Sequence, residues 1–175
     1  MKQKAVIFFL LCLLTALPSI AQTPQYQFTR IDVDQGLSNS QINCIYKDNK
    51  GFIWFGTMSG LNRYDGYSFR IFRNDLHDTT SLPDNYIERI TEGPDNLLWI
   101  YARDGQHLFD PSTSSFRRDP QPLLQQLGIP GNALTDIVKD EQGQLWLIHP
   151  TAGLYCYTPG TRPATHLKEA GNNIA

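Results

Sequence analysis

The sequence predicts an all-β chain, with three four-stranded antiparallel blades of an incomplete β-propeller. Three observations predict it. Trp54, Trp99 and Trp146 recur at spacings of 45 and 47 residues, a period typical of blades built from short strands. Around each tryptophan the same kinds of residue return. An apolar residue stands twelve before (Ile42, Ile87, Leu134) and nine before (Ile45, Ile90, Ile137), and a turn-former three before (Gly51, Asn96, Gly143). A glycine follows (Gly60, Gly105, Gly153), then an aromatic (Tyr64, Phe109, Tyr157). Between these anchors, short apolar runs are punctuated by Gly, Asn and Asp, the residues that turn a chain cheaply.

The first copy shows the elements in order. The apolar run before Asp48 suits a short inner strand, and Asp48-Asn49-Lys50-Gly51 is tight-turn chemistry, as is Glu141-Gln142-Gly143 in the third copy. Phe52 to Thr57 is rich in β-branched and aromatic residues, as a strand should be. Met58-Ser59-Gly60 turns the chain into Leu61 to Asp65, whose apolar and polar residues alternate as in a half-buried strand. Asp65-Gly66 is a two-residue hairpin signal leading to a fourth strand over Tyr67 to Arg73. The repeated tryptophan is expected to pack between neighbouring blades. The run Asp48 to Trp54 resembles the Asp-box turn of sialidase-like propellers, with one extra residue between Asp and Gly. The other copies put Gly93 and Asp140 there, in what reads as a different setting, so the turn is taken as structural.

Gly36-Leu37-Ser38-Asn39-Ser40, then Gly51-Phe52-Ile53-Trp54-Phe55-Gly56-Thr57, then Gly60-Leu61-Asn62-Arg63-Tyr64-Asp65-Gly66 together carry a family resemblance. They resemble the two-component regulator propeller repeat of the N-terminal periplasmic sensor region of Bacteroidetes-type hybrid two-component systems. The second copy departs with Tyr101-Ala102 where the first has Gly56-Thr57, and the third with Ile148-His149. The resemblance implies a longer protein with many such repeats, a membrane helix, kinase and receiver domains and a DNA-binding region. It further implies a homodimer, a glycan fragment or other small periplasmic ligand as the cue, and control of carbohydrate-utilisation genes as the output.

Residues 1–21 read as a signal peptide, with Lys2 and Lys4 ahead of an apolar stretch and Ser19-Ile20-Ala21 at the cleavage site. That predicts a periplasmic location for 22–175, a partial propeller with repeats at about 37–81, 82–130 and 131–171. A fourth repeat would start at 172–175, so the chain is expected to be a truncated piece that needs further blades as partners and folds poorly alone. Residues 26–31 alternate like an outer blade strand. The linker 74–85 reads as a polar loop between the first two blades, and 121–132 joins the second to the third, with one helical turn near Leu123 to Leu127. Cys44 and Cys156 fall on distant strands and are expected to be unpaired and largely buried.

The formal net charge of −2 gives no basic surface for nucleic acid. No nucleophile elbow, phosphate loop or zinc-protease motif is present, and His77, His107, His149 and His166 share no ligand spacing. The chain is therefore expected to be no enzyme and to hold no cofactor or metal. Propeller ligands commonly meet the face made by the loops leading into the inner strands and the turns between strands two and three. On that face Asn39, Asn85, Tyr86, Arg103, Asp104 and His149 can hydrogen-bond or stack on a sugar. Two other readings stand beside the sensor: a fragment of a secreted propeller enzyme acting on carbohydrate, and a periplasmic interaction scaffold.

Overall fold

The computed structural model describes residues 28–167. The chain divides into two compact units, residues 1–30 and 31–175. The predicted signal peptide and the start of a fourth repeat lie outside the described residues. The expected outer strand at 26–31 is not formed over 28–31, where the backbone carries no ladder.

The second unit holds three four-stranded meanders, each antiparallel throughout and ordered as the chain runs. The first blade is β1 (Ile42–Lys47), β2 (Ile53–Thr57), β3 (Gly60–Tyr64) and β4 (Phe69–Phe72). The second is β5 (Ile87–Glu92), β6 (Leu98–Ala102), β7 (Gly105–Asp110) and β8 (Ser115–Arg117). The third is β9 (Asp136–Lys139), β10 (Leu145–His149), β11 (Gly153–Tyr157) and β12 (Thr165–Leu167). Each tryptophan holds the same register, opposite Tyr46 and Arg63, Thr91 and Leu108, or Val138 and Cys156.

Alternation of side chains along a strand makes each blade two-faced, and the blades stack through those faces. β6 is buried along its whole length. Leu98, Ile100 and Ala102 pack with Trp54 and Leu61 of the first blade, while Trp99 and Tyr101 pack with Leu145, Leu147 and Tyr155 of the third. Trp54 meets Phe109 edge-on at 5.3 Å between ring centroids, so the predicted inter-blade role of the tryptophan holds. Trp54 and Trp99 are both 0% exposed. Trp146 is only half-buried, because its side of β10 faces away from the second blade.

The turns follow the sequence with corrections. Gly51 and Gly143 adopt φ of 91° and 82°, and Asn96 takes the same left-handed region at 60°. The loop after β3 runs through four residues, not two. Asp65 accepts from the amides of Tyr67 and Ser68, and the strand begins at Phe69. The linker after β8 holds the expected turn of helix. Its helix α1 (Gln121–Gln126) buries Leu123 and Leu124 together with Leu127 and Ile129 in the core between blades two and three. Cys44 and Cys156 are unpaired, as expected, but only half-buried rather than largely buried. Burial pushes the Cys44 thiol up to about 11.

Candidate functional site

The six residues singled out above do not form one site. Only Asn85, Tyr86 and Arg103 share a concavity, an open one of about 300 Å3 that Met58, Asn74 and Asp84 also line. Most of its polar atoms are occupied. The Asn85 carboxamide oxygen accepts from the Asn74 amide at 2.8 Å, and Asn74 donates to the carbonyls of Leu82 and Pro83. Asp84 accepts from the Tyr86 amide and from Arg103, which stacks over the Tyr86 ring at 5.7 Å. These contacts tie the leading loop of the second blade to its neighbours, leaving the Asn85 carboxamide nitrogen, the Tyr86 hydroxyl and the rest of an exposed guanidinium for a ligand.

The other three residues serve turns. Asn39 donates to Ser59 and accepts from the Gln41 amide. Asp104 sits 2.8 Å from His107 Nε2, and His107 Nδ1 lies 2.8 Å from the Arg118 carbonyl, so this pair anchors the strand-two-to-three turn to the outer strand. His149 Nδ1 accepts from the amides of Thr151 and Ala152, closing its own turn.

Two further concavities open on the opposite face, where strands one and two are joined. One of about 370 Å3 lies between blades one and two, and one of about 260 Å3 between blades two and three. Both are lined by Asn49, Glu92, Asp95 and Asn96. Glu92 accepts from Lys139 at 2.8 Å and lies 3.4 Å from the Tyr46 hydroxyl. Burial, reinforced by the Glu92 charge, holds that phenol well above its ordinary range. Asp95 accepts from Tyr157 at 2.9 Å and pairs with Arg162. Asp110 is held below the usual carboxylate range chiefly by the Ser112 hydroxyl. None of these groups stood out in the sequence. The signal that does mark them is asymmetry between copies, Asn96 standing where the other two blades have Gly51 and Gly143.

Two features frame the face chemically. Asp48 accepts from the amides of Lys50 and Phe52 and from the Trp54 indole at 2.8 Å. Asp140 repeats the set with Gln142, Gln144 and Trp146, so its setting is the same and not different. The structural reading of the Asp48 turn thus accounts for every contact of its carboxylate. Among the described residues no group of three or more His, Cys, Asp or Glu is placed to hold a metal ion.

The two-component regulator propeller family matches residues 36–59. Histidine kinase P4 of Formosa agariphila is 40% identical over 62 residues, which cover 35% of this chain and 4% of that protein. Among solved structures, the chain resembles the extracellular domain of a B. thetaiotaomicron protein described as the hybrid two component system BT3049. That match has 22% identity and a TM-score of 0.39, covering 82% of this chain and 27% of the other. It also resembles the extracellular domain described for the hybrid two component system BT4673 of the same organism. Here identity is 24% and the TM-score 0.45, with 82% and 19% coverage. The chain therefore spans a small part of the length of each protein it matches. Residues 36–59, from the segment leading into β1 to the turn after β2, match the two-component regulator propeller repeat in the first of three like blades.

Proposed function

We propose that this chain is a ligand-sensing segment of the periplasmic part of a two-component system. The cue would be a glycan fragment, and the output control of carbohydrate-utilisation genes by kinase and DNA-binding parts carried elsewhere in a longer protein. The observation that carries this reading is the two-component regulator repeat at 36–59 built into a real blade. The polar concavities on both faces support it, since they offer hydrogen bonds to a ligand. A sensor of this kind acts by differential binding. A ligand that favours one arrangement of the periplasmic region shifts the population by that difference in free energy and no more.

The test is genetic. In-frame removal of codons 36–167 from the native gene is followed by transcript profiling on single polysaccharides as carbon source. Loss of induction at one carbohydrate-utilisation locus, on one glycan, is expected. Unchanged induction of every locus on every glycan overturns the reading.

A further inference from the structure

We propose that the ligand site of this segment is the groove across the strand-one-to-two turns, not the leading-loop face, and that it takes an uncharged, hydroxyl-rich chain and rejects anionic ones. This rests on the sensing role proposed above and adds the place and the chemical class.

The groove is one feature rather than two. The concavities of about 370 and 260 Å3 share Asn49, Glu92, Asp95 and Asn96 as a common wall, so together they cross all three blades. Each volume is close to or within the range of small-molecule pockets. Its free hydrogen-bonding groups are amides. The side chains of Asn49 and Asn96 have no partner among the described residues, whereas the corresponding polar groups on the leading-loop face are largely consumed. A carboxamide offers two donors and an acceptor, a match for hydroxyls that both give and accept.

Asn96 is the telling residue. Its two counterparts, Gly51 and Gly143, have φ of 91° and 82° and carry no side chain. Asparagine tolerates the left-handed region better than most residues, yet glycine is the unstrained choice. The middle blade uses the costlier residue at the one of the three turns that separates the two concavities, and so places an amide over the groove.

Charge selects within the class. Glu92, Asp95 and Asp110 are each held by a protein partner, and they keep lone pairs able to accept from ligand hydroxyls. They also engage the cations around the groove, Lys139 on Glu92, Arg162 on Asp95 and Arg117 on Asp110, which leaves only Lys50, in the same turn as Asp48, among the cationic residues lining it. A uronate or sulfate brought here must displace one of these carboxylates to gain a counter-charge for its lost hydration, whereas neutral hydroxyls need none.

The experiment is isothermal titration calorimetry of the whole chain with two panels. One holds neutral gluco-, manno- and xylo-tetrasaccharides, the other tetragalacturonate and a sulfated tetrasaccharide. The comparison is repeated with Asn96→Gly, which keeps the backbone and deletes the amide, and with Arg103→Ala on the other face. Circular dichroism confirms that both variants keep the wild-type spectrum. The expected result is binding of a neutral member, weakened at least tenfold by Asn96→Gly and changed less than twofold by Arg103→Ala. Binding of an anionic member as tight as any neutral one overturns the charge argument. Loss on Arg103→Ala with none on Asn96→Gly moves the site to the other face. Either outcome leaves the sensing role standing. Absence of binding by every member of both panels overturns the groove and counts against the glycan cue as well.

Discussion

At the scale of single residues, the turn carboxylates show how a short motif becomes a structural device. Asp140 collects two backbone amides and an indole N–H, and its carboxyl is held below the usual carboxylate range, first by the Trp146 indole. A folded-state pKa below the unfolded one contributes stability that is present above the unfolded value of about 3.9 and is lost as pH falls through the lowered folded value. Asp65, Asp78 and Asp110 are lowered in the same way by turn hydrogen bonds and add to the same acid limb. The expected outcome for Asp140→Asn is a lower denaturation midpoint at neutral pH and a shallower fall of that midpoint below about pH 4. Urea titrations at a series of pH values read both. A variant curve parallel to wild type would show that the indole contact contributes nothing to the acid limb. Gly56 makes a second residue-scale case. A Cβ there would lie 2.5 Å from Cys44 Sγ and 2.6 Å from Ile87 Cγ2, so the first two blades close over a missing side chain. Gly56→Ala should destabilise by about 1–3 kcal/mol, the usual range for overpacking, as read by the shift in urea midpoint at unchanged slope. The sequence displayed Gly56 against Tyr101 and Ile148 as a departure between copies. It could not display the reason, because Ile87 reaches that spot only through blade stacking.

At the scale of elements, the second blade is where the repeat is broken and reused. With Gly93 in place of the turn aspartate, Trp99 donates its indole N–H to Gln106 at 2.8 Å. Gln106 also bonds the backbone of Leu134 in both directions, accepting from its amide at 2.9 Å and donating to its carbonyl at 2.7 Å. One side chain thereby satisfies a buried indole and clamps blade two to the segment leading into blade three. Gln106→Leu keeps the apolar bulk and leaves the buried indole N–H without its acceptor. A loss of about 1–3 kcal/mol is expected, the penalty for an orphaned buried donor. Hydrogen exchange places the effect, since protection of the Leu134 amide should fall more than that of Phe52 in the first blade. Equal loss at both positions would mean that the clamp is not local. Strands and turns were legible because period-two alternation and positive-φ residues are local signals. Helix α1 was half legible. Its turn of helix was expected, but Leu123, Leu124 and Leu127 looked like part of a linker, because only the neighbouring blades bury them. The Asp65 loop was misjudged by two residues, since the carboxylate's bonds to Tyr67 and Ser68 extend the turn beyond the Asp-Gly pair.

At the scale of the whole molecule, stability is a sum over blade-to-blade interfaces, as in other repeat architectures. The described blades make two of them, each filled by one tryptophan and the alternate residues of the strands beside it. Polar stitches run along the inner strands as well, from Asn43 to the Ile87 carbonyl, from Arg89 to Asp136 and from Lys139 to Glu92. The sequence made the three blades legible and the proposed ligand groove not. Tryptophan spacing reports the repeat, whereas a groove depends on which side chains remain unpaired once neighbouring turns have met. The same stacking makes the three tryptophans unequal reporters. Trp54 and Trp99 are 0% exposed, while Trp146, with Ile148 and Cys156, lies on the half-buried side of the third blade. Acrylamide should therefore quench native fluorescence mainly through Trp146, and Trp146→Phe should remove most of the quenchable fraction while Trp54→Phe removes little. In a longer chain that lays another blade against that side, quenching of Trp146 should drop toward the level of the other two. If Trp54 instead proves as quenchable as Trp146, the first two blades do not stack through their tryptophan faces, and the interface-by-interface account of stability falls with them.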